Sequence, residues 1–485
     1  MGILGLSRLI ADVAPEAIKE IELKSLFGRR IAIDASMCIY QFLIAIRSSE
    51  YMMTNEQGET TSHLVGLFYR TIKLLETGIK PVYVFDGKAP KLKCGELEKR
   101  AERRTEAKDK LEEAKELQNV EDIEKLNKRL VKVTRKHSDD CKRLLQLLGI
   151  PIVQAPSEAE AQCAQLCKEN LVYAAATEDM DALTFGCPRL IRNLTSGQNE
   201  KVKEYQIGKV LTGLDISQDQ FIDLSILMGC DYCSNIRGIG GKKGLDLIRK
   251  FDSIEGILKN KFGIEEYVDV EIEYSNRKIE PKKEEEEEEN NDEVKKNGNV
   301  EEQQSVPKME ISDEIKQEND IAEDDEFASK FNTNDSDQDE NEDKNNDDNG
   351  DEDLMEQNDS PKKGKTNKKQ MVPENWPFRG ARKLFQQPLV IVNEITENDL
   401  KMKDIDEEGM IQFLCIENGF NEDRVRKSLK RARESKQKGA QTRIDTFFKM
   451  MPSSSNSPNK RPIDSKNSNG KKSSNSNNKR GRRGR

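Results

Sequence analysis

Ile31-Ala32-Ile33-Asp34 and Val82-Tyr83-Val84-Phe85-Asp86 share one form, a short run of aliphatic and aromatic residues closed by an aspartate. Runs that are apolar throughout mark strands buried on both faces. Ile150 to Val153, Val172 to Ala176 and Arg189 to Ile191 continue the series. Amphipathic helical stretches separate these runs, and from residue 21 to about 260 the alternation predicts an α/β fold with a mostly parallel central sheet wrapped by helices. Ligands of such a sheet bind outside the carboxyl ends of its strands. The closing acids therefore converge: Asp34, Asp86, and Asp179 with Asp181 after the run that reaches Thr177. Ser157-Glu158-Ala159-Glu160 adds two more, with Ser157 expected as a helix N-cap and both glutamates in the first turn. Asp231, in Met228-Gly229-Cys230-Asp231-Tyr232, is the seventh.

Any one of these acids reads most simply as a cap or a solvated turn residue. Seven in one crevice repel each other and call for cations. Ligation by oxygen alone selects Mg²⁺, with Mn²⁺ as a substitute, over zinc. Two such ions roughly 4 Å apart are the usual device for phosphodiester hydrolysis. The residues thus predict metal-dependent phosphodiester cleavage.

Outward from this core, composition divides the chain. Of 485 residues 34% are hydrophobic and 35% charged, too polar for the whole length to pack as one unit. Residues 281–360 hold 32 acidic and 8 basic side chains, so the net charge of −10 conceals a remainder of +14, which suits a polyanionic partner. The organisation expected is a nuclease region over 1–105, a charged helical stretch over 88–148, a second nuclease region over 149–260, a disordered acidic insert over 262–370, a helical part over 371–435, a linear peptide at 441–448 and a disordered basic tail at 452–485. Lys88 to Leu148 reads as two long charged helices with a break near Gln118. Nine cysteines and two histidines, His63 and His137, suit a reducing compartment. Cys230-x-x-Cys233 has no partner pair at zinc spacing, so buried free thiols are expected. There is no run of eighteen apolar residues and no signal peptide pattern, and Leu6 stands where myristoylation needs Ser or Thr. A soluble intracellular protein with no membrane partner is expected.

Longer motifs carry a family likeness. Gly2-Ile3-x-Gly5-Leu6, Ile33-Asp34-Ala35-Ser36, Tyr83-Val84-Phe85-Asp86-Gly87, Ala155-Pro156-Ser157-Glu158-Ala159-Glu160-Ala161, Ala175-Ala176-Thr177-Glu178-Asp179-Met180-Asp181 and Gly229-x-Asp231-Tyr232-Cys233 together resemble the flap endonucleases, structure-specific 5′ nucleases of the XPG/Rad2-type superfamily with a PIN-like fold. The resemblance runs from Met1 to Leu258 and from Val372 to Phe448. It implies a first metal at Asp34, Asp86, Glu158 and Glu160, and a second at Asp179, Asp181 and Asp231. It makes the charged helices an arch for a single-stranded 5′ flap, and gives Lys93 and Arg100 the scissile phosphate. Tyr40 is implied to stack on a base, Gly2 to lie close to the DNA after loss of Met1, and Arg47 and Arg70 to contact DNA. Glu158, Gly229 and Asp231 then also border the DNA.

Gly238-Ile239-Gly240-Gly241-Lys242-Lys243-Gly244 reads as a helix-hairpin-helix turn within 234–250, where Gly238 and Gly240 let backbone amides approach a phosphate and Lys242 and Lys243 add charge. The resemblance adds K⁺ held by carbonyls near Asn235, Ile236 and Ile239, although the family has Pro where Gly241 stands. It implies a pocket for a one-nucleotide 3′ flap at Thr61, Phe420 and Arg424, with Asn418 in place of the usual basic residue.

Gln441-x-x-Ile444-x-x-Phe447-Phe448 leaves two aromatics exposed unless a partner covers them, and is similar to the peptide that binds the trimeric replication sliding clamp, PCNA. Lys460-Arg461 and Lys479 to Arg485 fit nuclear import or DNA tethering equally. With the resemblance they imply a nuclear protein of nucleoplasm and nucleolus, a mitochondrial pool being left open. The function expected is cleavage of 5′ flaps on branched DNA by a monomeric enzyme, leaving ligatable nicks in Okazaki fragment maturation and long-patch base excision repair, with secondary 5′–3′ exonuclease activity. Two alternatives stand beside it: a related exonuclease or bubble-cutting repair nuclease, and a noncatalytic clamp-binding scaffold for branched DNA.

Overall fold

The computed structural model describes residues 2–47, 61–117, 119–194, 201–267, 372–373 and 375–438. Residues 262–267 of the expected insert are ordered, with Phe262 ending the helix Ile254–Phe262 and Ile264 and Tyr267 packed against the core; the rest of the insert, the peptide Gln441, Ile444, Phe447 and Phe448, and the basic tail lie outside the described residues. Among those described, seven strands form one sheet: β1 (Ile18–Ile21), β2 (Arg30–Asp34), β3 (Lys80–Phe85), β4 (Ile152–Gln154), β5 (Ala174–Ala176), β6 (Arg189–Arg192) and β7 (Val202–Gln206). Their order across the sheet is β1-β7-β6-β5-β2-β3-β4. β4, β3, β2, β5 and β6 run parallel, while β6 pairs with β7 and β7 with β1 antiparallel. The α/β expectation holds, and the five expected strands form its parallel part. The antiparallel edge, β1 and β7, has no run of β-branched residues: Ile18-Lys19-Glu20-Ile21 and Val202-Lys203-Glu204-Tyr205 are too polar to read as buried strands.

Alternation along the strands divides the interior in two. Ile31, Ile33, Tyr83, Phe85, Ala174 and Ala176 face one core, joined by Phe42, Phe68, Leu144, Leu145 and Leu429 from helices. Ala32, Val82, Val84, Val153 and Ala175 face the other, joined by Leu6, Leu166, Leu224, Ile248 and Phe385. Each face of the parallel strands is thus covered, which is why those strands are apolar at every position. The chain leaves β2 toward β3 and β4 and returns on the opposite side through β5, so a topological switch point lies between β2 and β5.

The charged stretch after β3 differs from two long helices. It forms three, Cys94–Glu116, Val120–Arg129 and Arg135–Leu147. The first two share a small apolar seam of Ala107, Leu111, Ala114 and Leu126. The third returns to the body, burying Cys141, Leu144 and Leu145. Its charged outer face hides that apolar stripe in the sequence. Thr134 starts it with a capping box to His137.

Two adjacent buried side chains, Ser62 and His63, are left without hydrogen-bond partners here. His63 is 2% exposed, and its Nε2 lies 3.7 Å from the Asp140 carboxylate, beyond hydrogen-bond reach. Its ring lies 4.6 Å from that of His137, and burial first, then His137 and Lys136, pull its pKa down to about 3. A histidine held neutral in the fold but free to protonate at its ordinary 6.5 when unfolded withdraws stability as pH falls below that value. Such a shift removes about 2 kcal/mol by pH 5. His63→Leu is expected to melt at a higher temperature than the parent, by a margin that widens from pH 7 to pH 5. A constant margin would show that His63 does not titrate on unfolding.

The chain resumes after the insert beside the point where it left. Tyr267 donates its hydroxyl hydrogen to the Pro373 carbonyl at 2.6 Å, and the Trp376 backbone N–H donates to the same hydroxyl. Trp376 is fully buried, with its indole N–H donating to the Ser234 carbonyl. From the helix Phe378–Gln386, Arg382 reaches Asp223 at 2.6 Å and Glu255 at 2.8 Å.

Candidate active site

At the switch point the carboxyl ends of β5, β2 and β3 stand side by side and bring their acids together. Asp34, the last residue of β2, accepts from the Met37 N–H at 3.0 Å and from the Thr177 hydroxyl at 3.2 Å. Burial first, then Asp86 and Asp179, push its pKa up to about 7. Asp86, one residue beyond β3, accepts the Ala159 N–H at 2.7 Å. It thus caps, from another strand, the helix Ala159–Lys168. This corrects the local expectation there: the cap residue is Glu158, and the Ser157 hydroxyl donates to the Lys88 carbonyl instead. Only Glu160 lies in the first turn.

Glu160 is the hinge of the arrangement. Carboxylate oxygens of Asp86, Glu158 and Glu160 lie within 4.8 Å of one another, as do those of Glu160, Asp179 and Asp181. Two three-acid groups therefore meet on one glutamate. Glu158, Glu160, Asp179 and Asp181 are all buried. Burial first, then Glu158, raises Glu160 well above the usual carboxylate range, and burial with Asp179 and Asp231 does the same to Asp181. Asp181 Oδ1 is buried and has no hydrogen-bond partner. Crowded buried acids with an orphaned oxygen form a set of hard donors that divalent cations satisfy.

Two side chains from the charged stretch already meet these acids. Lys93, ending a short turn before the Cys94–Glu116 helix, donates to Glu158 at 2.5 Å and lies 3.4 Å from Asp231. Burial works against its charge, but Glu160, Glu158 and Asp231 outweigh that and hold it above the usual lysine range. Arg100, two turns along the helix, donates to Asp231 at 2.9 Å. Asp231 is thus engaged by both cations. Gly2 adds the N-terminal wall. Its φ is +75°, and a Cβ there would overlap Asp179 Oδ1 and fall 2.7 Å from Asp181 Oδ1. Gly2→Ala is expected to lower the single-turnover cleavage rate roughly tenfold or more by displacing these acids. An unchanged rate would mean that the N-terminus yields without disturbing them.

The remaining expected residues lie outside the two three-acid groups. Tyr40 packs half-buried on the first core face. Arg47 ends the helix Ala35–Arg47, and its side chain is outside the described residues. Arg70 stacks 4.3 Å from the Phe42 ring and donates to Gln41. Gly240 caps a helix that begins at Gly241, earlier than the Leu245 start expected. Lys243 donates to the Gly238 carbonyl at 3.3 Å, and Lys242 pairs with Asp12 at 3.1 Å. The Ile236 carbonyl accepts the Ile239 N–H at 3.1 Å. Thr61 is buried at the start of the Ser62–Glu76 helix, Phe420 joins the core, and Arg424 is exposed. Asn418 turns inward to donate to the Phe413 carbonyl at 2.8 Å, closing a π-helical turn. No spacing marks Thr177 or Glu178, whose carboxylate accepts from Arg192 at 3.2 Å and from the Asn193 N–H at 2.7 Å, tying down the loop that bears Asp179.

Residues 1–107 match the family model of the XPG N-terminal domain, and residues 149–231 match that of the XPG I-region. All seven acids fall within these two spans. Flap endonuclease 1-B of Xenopus laevis is 44% identical over 475 residues, covering 98% of this chain and 96% of that protein. Flap endonuclease 1 of Aedes aegypti is 44% identical over 468 residues, covering 96% and 95%. This chain belongs to the flap endonuclease 1 family. Among solved structures, flap endonuclease-1 from Methanococcus jannaschii is 28% identical with a TM-score of 0.52, covering 88% of this chain and 98% of that one. The catalytic core of Rad2 in complex with DNA substrate, at 20% identity and a TM-score of 0.53, shares the fold. For a member of this family no helix among the described residues is long and apolar enough to cross a membrane.

Proposed function

We propose that this chain is a structure-specific 5′ flap endonuclease that hydrolyses branched DNA with two Mg²⁺ ions. The observation that carries the reading is the pair of three-acid groups sharing Glu160, with Lys93 and Arg100 against them. Asp34, Asp86, Glu158, Glu160, Asp179, Asp181 and Asp231 would hold the ions. Bound there, divalent cations supply a lowered pKa for the attacking water and neutralise charge building on the phosphate. Lys93, held protonated by three carboxylates, presents a fixed cation to the scissile phosphate, and Arg100 offers a forked donor beside it. Gly2 keeps the floor of the site free of side chains. The helix Cys94–Glu116 starts just after Lys93 and carries Arg100 near its root, and together with Val120–Arg129 it suits an arch over the single strand.

Around this centre we assign Tyr40 to base stacking, Arg47, Arg70, Lys242 and Lys243 to duplex phosphates, K⁺ to the turn at Asn235–Ile239, and Thr61, Phe420 and Arg424 to a 3′ flap pocket. Because Asn418 is spent on its own turn, Arg424 is the charged donor of that pocket. Gln441, Ile444, Phe447 and Phe448 are assigned to a trimeric sliding clamp, and the basic tail to nuclear import. Against the scaffold alternative stands the burial of five mutually repelling acids, Asp34 with Glu158, Glu160, Asp179 and Asp181, which no binding role requires.

The deciding experiment incubates the protein and Asp181→Ala with Mg²⁺ and a 5′-labelled double flap carrying a one-nucleotide 3′ flap. One dominant product cut at the junction, absent in the variant, is expected. A ladder of mononucleotides would assign an exonuclease, and binding without cleavage by either protein would assign the scaffold.

A further inference from the structure

The turn that carries Asp231 is bracketed by two thiols in contact. Cys230 and Cys233 pair in an isolated antiparallel bridge, with their sulfurs 3.7 Å apart. Both are free thiols packed against the core and mostly buried, with only a part of each residue open to solvent. No group of three metal-ligating side chains among the described residues includes either sulfur, which leaves a dithiol rather than half of a zinc site. We infer that Cys230 and Cys233 are an oxidation site, closed to a disulfide by a small hydroperoxide, that slows catalysis by displacing Asp231.

The bond must draw the sulfurs from 3.7 Å to about 2.05 Å. The flanks of the turn resist that contraction. Tyr232 is 2% exposed and its ring sits 5.1 Å from that of Phe385. The Ser234 carbonyl is held by the Trp376 indole. Gly229, at φ +102°, closes the helix Gln218–Met228 with its N–H held by the Ser225 and Ile226 carbonyls, so the other flank is tied as well. The strain therefore falls on Asp231, whose Oδ2 lies 2.9 Å from Arg100 and 3.4 Å from Lys93. A shift of about 1 Å at such a centre slows chemistry by up to roughly a hundredfold.

The chemistry balances with the peroxide alone. One thiol attacks a peroxide oxygen, the O–O bond breaks, and the remaining oxygen takes up the thiol proton and leaves, as water from hydrogen peroxide or as the alcohol from an organic hydroperoxide, with a sulfenic acid behind. The second sulfur displaces the hydroxyl, forming the S–S bond and water. Two thiols are oxidised and one peroxide is reduced. A dithiol reductant reverses the bond by exchange.

The consequence for rate rests on the cleavage reading above, whereas the sulfur chemistry does not. Full-length protein is treated with hydrogen peroxide, freed of it, and divided between peptide mapping and single-turnover cleavage, with and without dithiothreitol. The expected result is a 230–233 peptide lighter by two hydrogens, cleavage at least about tenfold slower, and recovery with the reductant. Cys230→Ser is expected to cleave like the parent and to ignore peroxide. Absence of the bond at a dose that oxidises exposed Cys94 would overturn the site, and a formed bond with full cleavage would overturn its consequence. Equal inhibition of Cys230→Ser would move the effect to another thiol and overturn the inference. A reduced parent that cleaves nothing would instead indict the cleavage reading.

Discussion

Glu160→Gln is expected to lower flap cleavage roughly 10³-fold while leaving DNA binding intact and raising the stability of the protein in EDTA. The first effect follows from position: Glu160 is the one acid common to both carboxylate groups, so its loss removes a ligand from each. The second has a definite sign. Burial and Glu158 raise the folded-state pKa of Glu160 above its ordinary 4.5. The folded protein then binds more protons than the unfolded chain, and stability drains away as pH rises from that value through the raised one. Gln carries no such penalty. In EDTA at pH 7.5 the variant should melt above the parent, and near pH 4.5 the two should converge. Added Mg²⁺ should lift the parent more than the variant. If the variant melts lower than the parent in EDTA at neutral pH, Glu160 is a structural ion-pair partner and not a strained ligand.

Arg382→Leu is expected to destabilise the protein by about 3 kcal/mol or more, the largest loss of stability predicted for a residue outside the acid cluster. Arg382 bridges Asp223, which is only 3% exposed, to Glu255, and so fastens the chain that returns after the insert to two helices that precede it. Burial raises the Asp223 pKa and Arg382 opposes the rise. Without the guanidinium the carboxylate is buried and unpaired, save for the Ile254 N–H at 3.1 Å. The deficit should therefore shrink as pH falls and Asp223 takes up a proton, and Asp223→Leu in the same chain should recover part of it. Thermal unfolding of the three proteins at pH 5 and pH 8 reads both effects. A deficit independent of pH would place the loss in packing of the arginine stem and not in the stranded charge.

Much of this molecule is legible in its sequence because the deciding signals are local. Apolar runs such as Ile31-Ala32-Ile33 specify strands buried on both faces, and an aspartate at the end of such a run is delivered to the carboxyl edge of a parallel sheet. That alone places Asp34, Asp86 and the Asp179 loop on three neighbouring strands. The polar edge strands β1 and β7 are not legible in this way, since a strand with one face toward solvent carries no continuous apolar run. The Arg135–Leu147 helix is hidden for a related reason: its charges are visible at every turn, while only Cys141, Leu144 and Leu145 form its buried stripe.

What only the tertiary structure decided are pairings between residues distant along the chain. Asp86 caps a helix 73 positions away. Arg382 meets Asp223 across 159. Arg100 reaches Asp231 across 131. Glu160 becomes the shared acid because the fold brings Asp86 from one side and the Asp179–Asp181 loop from the other to the same helix start. Side-chain period and turn chemistry report on neighbours within a few residues, and so they determine elements and the edge of the sheet at which ligands meet. Which charges touch depends on how packed faces set those elements against one another, and no local pattern carries that information.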